Sequence, residues 1–290
     1  MTCRIANKDV WVEGRFPRIA KLVAEYVEWV EDPHRFVAQL QEEPVNADIF
    51  SFIQKGISER FPRYRFYHEW DQLAVLQITT YEAWWKNQIK TQERNRIRKA
   101  QKSNVELRLL SFDHELMKQI KELYDESPLR QGQPLVYYNQ SLEQLWKEHG
   151  RFLERSQFIG AFHDEELIGF AKLVHGGEIS NIVKLIAKLG HRDKAPSNAL
   201  LAKAVEVCAD RGVRYLGYST WGRRGLGDFK RNHAFVPFAM PRYFVPLNLK
   251  GKLALSLRMH KRVSEILPPK LLDAAAAWRA KLNSWRFAKR

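Results

Sequence analysis

The chain has 290 residues, 45% of them apolar and 12% aromatic, which excludes a disordered or fibrous protein and allows one large domain or two small ones. Its 48 Lys and Arg against 33 Asp and Glu give a formal charge of +15, a balance that favours polyanions. Residues 250–290 alone hold eleven basic and two acidic side chains, a net +9 that leaves +6 for the other 249, so a polyanion-binding core is not required.

In chain order, residues 16–31 carry Ile19, Leu22, Val23, Tyr26, Val27 and Val30 at helical spacing, and 33–42 predict a second helix after Pro33. Segments 48–54, 64–70 and 72–78 predict short strands. Thr79 and Thr80 can cap a long helix over 81–102, followed by a strand at 105–110 and a helix over 113–126. A loop at 127–140 contains Pro128, Gly132 and Pro134, and a helix runs from there to about Arg155. Strands are expected at 157–163, 166–175 and 178–188, then a loop, a helix over 198–211 and a strand at 213–219. A glycine-spaced loop with a short helix (221–233), a strand pair (234–247) and two helices (251–265 and 270–287) complete the chain. The second half thus reads β-β-β-loop-α-β-α-β, an α/β arrangement in which antiparallel strands feed one parallel crossover into a mixed sheet.

Cys3 and Cys208 lie far apart, and no His, Cys or Asp cluster has metal-ligand spacing, so no metal and a reducing compartment are expected. The N-terminus has no apolar signal region, and no apolar run reaches the ~18 residues of a spanning helix. The expectation is a soluble cytoplasmic protein, with contact at the inner membrane face left open.

Residues 157–188 resemble the central strands of the GNAT (N-acetyltransferase-like) fold, and 189–219 its cofactor loop, helix and following strand. The stretch RNRIRKAQKSNVELRLL (94–110) is similar to a segment of Fem-type aminoacyltransferases, with Asn104 in place of the usual glycine. Arg130-Gln131-Gly132 and GLGDFKRNHAF (225–235) follow in that family's order, with Ala234 where a glycine is common. The resemblance covers roughly residues 75–247. It implies a GNAT-like acyl-CoA N-acyltransferase fold, with residues 1–78 a reduced or diverged first unit of a tandem. An acyltransferase domain over 79–249, including the basic helix 81–102, and a basic helical tail over 250–290 complete the expected division.

For donor binding, the candidates are Arg192, Lys194, Ser197 and Asn198, in a loop and helix start that in acyl-CoA-dependent proteins surround the pyrophosphate. One glycine, and a proline at 196, make that loop equally readable as an ordinary turn. By the resemblance, Lys230 falls on the family's phenylalanine-lysine pair and implies contact with substrate or oxyanion. Arg223 and Arg224 add cations beside it, suited to a phosphate or carboxylate. Tyr218, beside Trp221 at the carboxyl end of its strand, is the candidate acid; as a base, Glu178, Asp228, His233 and His175 are the options. The loop carrying Arg130, Gln131, Tyr137 and Tyr138 is the candidate substrate wall, or a plain connector.

The function expected is transfer of an acyl or aminoacyl group from acyl-CoA or aminoacyl-tRNA onto a small-molecule or peptide amine by direct attack. The basic helix offers tRNA contact, and the tail, with its interleaved Leu and Trp, offers peripheral membrane contact. A rival reading is a non-catalytic basic module of the same fold that docks on RNA or an anionic membrane.

Overall fold

The computed structural model describes residues 2–43, 45–57, 61–130, 132–222, 225–261 and 269–288. In chain order the first elements are β1 (Thr2–Ile5), β2 (Lys8–Glu13), β3 (Ile19–Leu22), α1 (Pro33–Glu42), β4 (Ile49–Ile53) and β5 (Tyr67–Gln77). A helical turn (Tyr81–Ala83) and a π-helix (Trp84–Gln88) lead into α2 (Thr91–Lys102), β6 (Glu106–Leu110), α3 (His114–Asp125), β7 (Leu129–Arg130), β8 (Gln133–Pro134) and α4 (Leu142–His149). Then come β9 (Ser156–His163), β10 (Glu166–Gly176), β11 (Ile179–Ala187), α5 (Pro196–Asp210) and β12 (Tyr215–Thr220). The chain ends with α6 (Leu226–Asn232), β13 (Val236–Pro246), α7 (Leu249–Ser256) and α8 (Pro269–Ala288).

The chain forms two compact units. The first comprises Met1–Ala74, Ser219–Trp221 and Val236–Ile266. Its strands run β1-β2-β3-β4-β13, with β3 and β4 parallel and the other neighbours antiparallel. Phe36, Leu40, Phe50, Phe52, Tyr243 and Val245 are buried together in its core. Arg242 of β13 holds Glu25 at 2.6 Å and Asp71 at 2.8 Å.

The second unit comprises Val75–Tyr218, Gly222–Phe235 and Leu267–Arg290. Its strands run β12-β11-β10-β9-β6, parallel between β11 and β12 and antiparallel elsewhere. Consecutive buried residues through the middle of β9 and β10 mark strands covered on both faces. Asp113 caps α3 by accepting from the Leu116 N–H at 2.8 Å, and α3 buries Leu116, Ile120 and Leu123 against Phe158, Phe162 and Phe170. Ser141 and Gln144 form a reciprocal capping box at the start of α4.

Strands β1 and β2 have no expected counterpart, α4 ends at His149 short of the expected Arg155, and other elements differ as well. The helix over 16–31 is absent: Ile19–Leu22 is strand β3, buried at all four positions, followed by turns. The two strands at 64–70 and 72–78 are one, β5, and the pair at 234–247 is the single strand β13. The long helix over 81–102 is broken at Ile89, whose backbone is extended, and resumes at Thr91.

Candidate functional site

Strands β11 and β12 pair only over Ile179–Asn181 and Tyr215–Gly217, although β11 continues to Ala187. The register of β10 against β11 slips between Lys172 and Leu173. A β-bulge bends its strand away from its neighbour, so the two parallel strands part just where Tyr218 begins. Ser219, which follows, is held in the left-handed region at φ 53°, a strained backbone for a residue with a Cβ.

Next to that opening, α6 carries Lys230, which is 1% exposed. Its ammonium lies over the Tyr218 ring, 4.6 Å from the centroid. Burial lowers the Lys230 pKa to about 8, which leaves both charge states accessible near neutrality, and raises that of Tyr218. A phenol so placed keeps its proton and can donate but not act as base. Beneath this helix, a Cβ on Gly227 would stand 2.1 Å from the Gly222 carbonyl oxygen, so the loop closes this tightly only with glycine there.

His233 lies at the end of α6 and is fully buried. Its Nδ1 is 2.7 Å from the Phe229 carbonyl oxygen, which can only accept, so Nδ1 carries the proton. Nε2 is then an acceptor, and the Asn198 amide donates to it at 3.2 Å. The same amide nitrogen donates to Glu93 at 2.5 Å, using both of its hydrogens. Glu93, fully buried on α2, also accepts from Asn232 at 3.2 Å and pairs with Arg96 at 3.1 Å. Trp84 of the π-helix donates from Nε1 to the His233 carbonyl at 3.1 Å. Burial lowers the His233 pKa to about 4. His233 is thus a neutral linker within a helix junction.

The other candidates are placed as follows. Asp228 is exposed and pairs with Arg231 at 2.6 Å. Glu178 accepts through its carbonyl from the Tyr215 N–H, at the start of β12 and so at the opposite strand end from Tyr218. His175 shares that end, with Nδ1 2.7 Å from Ser180 Oγ and a pKa lowered by burial to about 4. Arg192 is exposed, Lys194 lies 3.9 Å from Asp193, and Ser197 is half-buried in the first turn of α5. Asn198 points into the Glu93 network. Trp221 belongs to the first unit and donates its N–H to the Gln72 carbonyl at 2.6 Å. Gln131, Arg223 and Arg224 lie outside the described residues.

At the loop expected to receive a donor pyrophosphate, the Glu126 carboxylate accepts from the N–H groups of Leu189 at 2.7 Å and Gly190 at 2.9 Å. Arg130 donates to Glu126 at 3.0 Å and to the Ala187 carbonyl at 2.5 Å. The helix that follows begins with Pro196, which has no N–H, after a left-handed Ala195. A carboxylate on those amides and a proline at the helix start fit a pyrophosphate poorly.

Tyr137 and Tyr138 separate. Tyr138 is exposed, whereas Tyr137 stacks on Tyr124 and donates to Glu148 at 3.3 Å. Lys184 bonds the Tyr137 hydroxyl and lies 3.8 Å from its ring centroid. On the neighbouring strand Lys172, the register partner of Lys184, donates to the carbonyls of His149 at 2.8 Å and Arg151 at 2.6 Å. Burial lowers its pKa to about 8. Of the candidates, then, the structure brings together Lys230, Tyr218, His233 and Asn198. It also adds Glu93 and Glu126, which sequence reasoning missed. Glu93 could have been found from its spacing: with Ile97 and Ala100 it forms an i, i+4, i+7 buried stripe on an otherwise basic helix.

No protein-family model and no curated sequence matches the chain. Solved structures do. L-PGS from Bacillus licheniformis aligns with a TM-score of 0.54 at 12% identity, over 90% of this chain and 89% of that one. FemX aligns with a TM-score of 0.54 at 10% identity, over 86% of each chain. The fold is GNAT-like and is shared with FemX and L-PGS. The C-terminal domain of a putative lysylphosphatidylglycerol synthetase from Agrobacterium fabrum also aligns, with a TM-score of 0.52 at 12% identity, over 89% of this chain and 86% of that one.

Proposed function

We propose that this chain transfers an aminoacyl or acyl group from an activated donor onto an amine, with Lys230 stabilising the oxyanion and Tyr218 donating a hydrogen bond. The observation that carries this reading is the buried Lys230 ammonium over the Tyr218 ring, beside the point where β11 and β12 part. The acceptor nitrogen attacks the acyl carbonyl, forming the C–N bond and pushing the π pair onto oxygen. Lys230, in its charged form, stabilises that oxyanion in a site shielded from water, where such contacts are strongest. Collapse expels the donor's oxygen or sulfur, and the proton released from the amine neutralises it.

The Glu126 contacts at residues 189 and 190 support an aminoacyl ester over acyl-CoA as donor. They equally favour a second reading, a binding module of this fold without catalysis. The exposed cations of α2 would then hold RNA.

The test is transfer from charged tRNA and from acyl-CoA to small and peptide amines. Lys230→Met should lower the rate by about 100-fold or more, the size expected for one oxyanion contact. Because the lysine's pKa is about 8, a role as cation predicts a wild-type rate that falls as pH rises through 8. A Lys230→Met protein that turns over like wild type would sink this site. Salt-dependent RNA binding with no turnover of either donor would favour the non-catalytic reading.

A further inference from the structure

Helix α7 is built inside out. Its small residues, Gly251 and Ala254, face the first unit, while Leu249, Leu253 and Leu257 are 80%, 56% and 61% exposed. The inward packing is close: a Cβ on Gly251 would stand 1.9 Å from the Asp48 carbonyl oxygen. Asn248 fixes the start of the helix by accepting from the Gly251 N–H at 2.8 Å and donating to Asp48 at 3.2 Å. The helix is therefore held by its narrow face and cannot roll to bury its leucines. Burying a leucine side chain is ordinarily favourable, so three exposed in a row on a firmly seated helix call for a partner.

The charges around the stripe say which partner. At about 100° per residue, Leu249, Leu253 and Leu257 fall within roughly 80° of one another, with Lys250 to one side and Lys252 to the other. Arg258 and Met259 continue the exposed surface, Met259 at 44%. Residues 247–261 contain Lys250, Lys252, Arg258 and Lys261 and no acid. Of these, Lys261 is engaged by Glu69 at 3.2 Å. Joining two copies through this face would bring Lys250, Lys252 and Arg258 against themselves, with no acid in residues 247–261 to neutralise them. An apolar stripe bordered by cations on both sides is instead the pattern that seats a helix in the plane of a membrane interface, leucines toward the acyl chains and ammonium groups among anionic headgroups.

We infer that α7 docks this protein on the surface of an anionic lipid bilayer through Leu249, Leu253 and Leu257, with Lys250 and Lys252 on the headgroups. The docking is independent of transfer chemistry and reversible, because one short helix offers few leucines. No described helix is long and apolar enough to cross a membrane.

The experiment is co-sedimentation of the full chain with vesicles of pure phosphatidylcholine, and with the same vesicles containing one third phosphatidylglycerol, at low and high salt. The wild type should bind the anionic vesicles, and salt should weaken binding. Leu253→Gln/Leu257→Gln should lower affinity by about tenfold or more, since the lost term is apolar burial. Lys250→Ser/Lys252→Ser should lower it by about fivefold per cation on anionic vesicles and change little on neutral ones. All four positions are exposed, so each variant should melt with the wild type. The inference fails if the wild type ignores anionic vesicles. It also fails if the leucine variant binds as well as wild type, which would place attachment elsewhere, for instance on α8 with its exposed Trp278 and Trp285. Light scattering adds a third arm: a wild-type dimer that the leucine variant converts to monomer would make this face a contact between copies and overturn the lipid assignment.

Discussion

His149 and His233 are uncharged at neutral pH because burial penalises the imidazolium; their pKa values fall to about 3 and about 4. An unfolded chain protonates both near pH 6.5, so between there and pH 4 the unfolded state binds more protons than the folded one. The stability these residues contribute is present above pH 6.5 and is lost as pH falls toward 4. Each should account for about 2 kcal/mol of destabilisation between pH 7 and pH 5, and urea melts at the two values measure it. Replacing His233 by Gln should flatten that slope; an unchanged slope would show that the ring already carries charge in the fold. Lys230 stands out in the sequence as a candidate because a short motif surrounds it. Glu93 is easily passed over, because an acid among seven cations reads as a solvated surface unless its spacing with Ile97 and Ala100 is noticed. Burial of that carboxylate depends on Asn198 and His233, which are 105 and 140 positions away in the chain.

Three helices meet at Glu93: α2, the first turn of α5 through Asn198, and the end of α6 through Asn232 and His233. Glu93→Leu removes the acceptor shared by the buried Asn198 amide and the half-buried Asn232 amide and should cost about 3 kcal/mol, whereas Glu93→Gln keeps part of the network and should cost about 1 kcal/mol. Denaturant unfolding of both variants checks the order. Equal losses would mean that packing at 93, and not hydrogen bonding, holds the junction. The strands from 156 to 187 and the amphipathic helix α3 lie within a few residues of their expected bounds, whereas α4 ends at His149, short of the expected Arg155. Strand β3 was not readable, because four consecutive buried positions have no alternation and the apolar residues of the turns after it imitate a helical stripe. The break at Ile89 was hidden as well, since the contacts around it are distant in the chain: the Trp84 indole donates to the His233 carbonyl and the Lys90 N–H to the Asn232 carbonyl.

The path of the chain between its two units is the largest feature that no local pattern announces. Residues 1–74 are completed by β13, which pairs with β4, and by Arg242, which holds Glu25 and Asp71. A fragment of residues 1–78 should therefore lack a cooperative unfolding transition, because β4 would have an open edge and two acids would lose their partner. Joining it by a flexible linker to residues 236–261 should restore one, read by circular dichroism during a urea titration. Cooperative melting of 1–78 alone would refute the requirement. The GNAT-like fold itself was legible, since the order of elements from 156 to 246 follows the expected succession.

The late arrival of β13 also sets a schedule for synthesis. When residue 74 leaves the ribosome, 161 further residues must be made before Val236 appears. At roughly 5–20 residues per second that is a wait on the order of 10–30 s. The apolar strand IFSFI stands unpaired along one side throughout, while the residues from 75 to 218 have already emerged as a nearly complete unit. The segment translated first is thus among the last to be finished, with an apolar strand edge open in the interval.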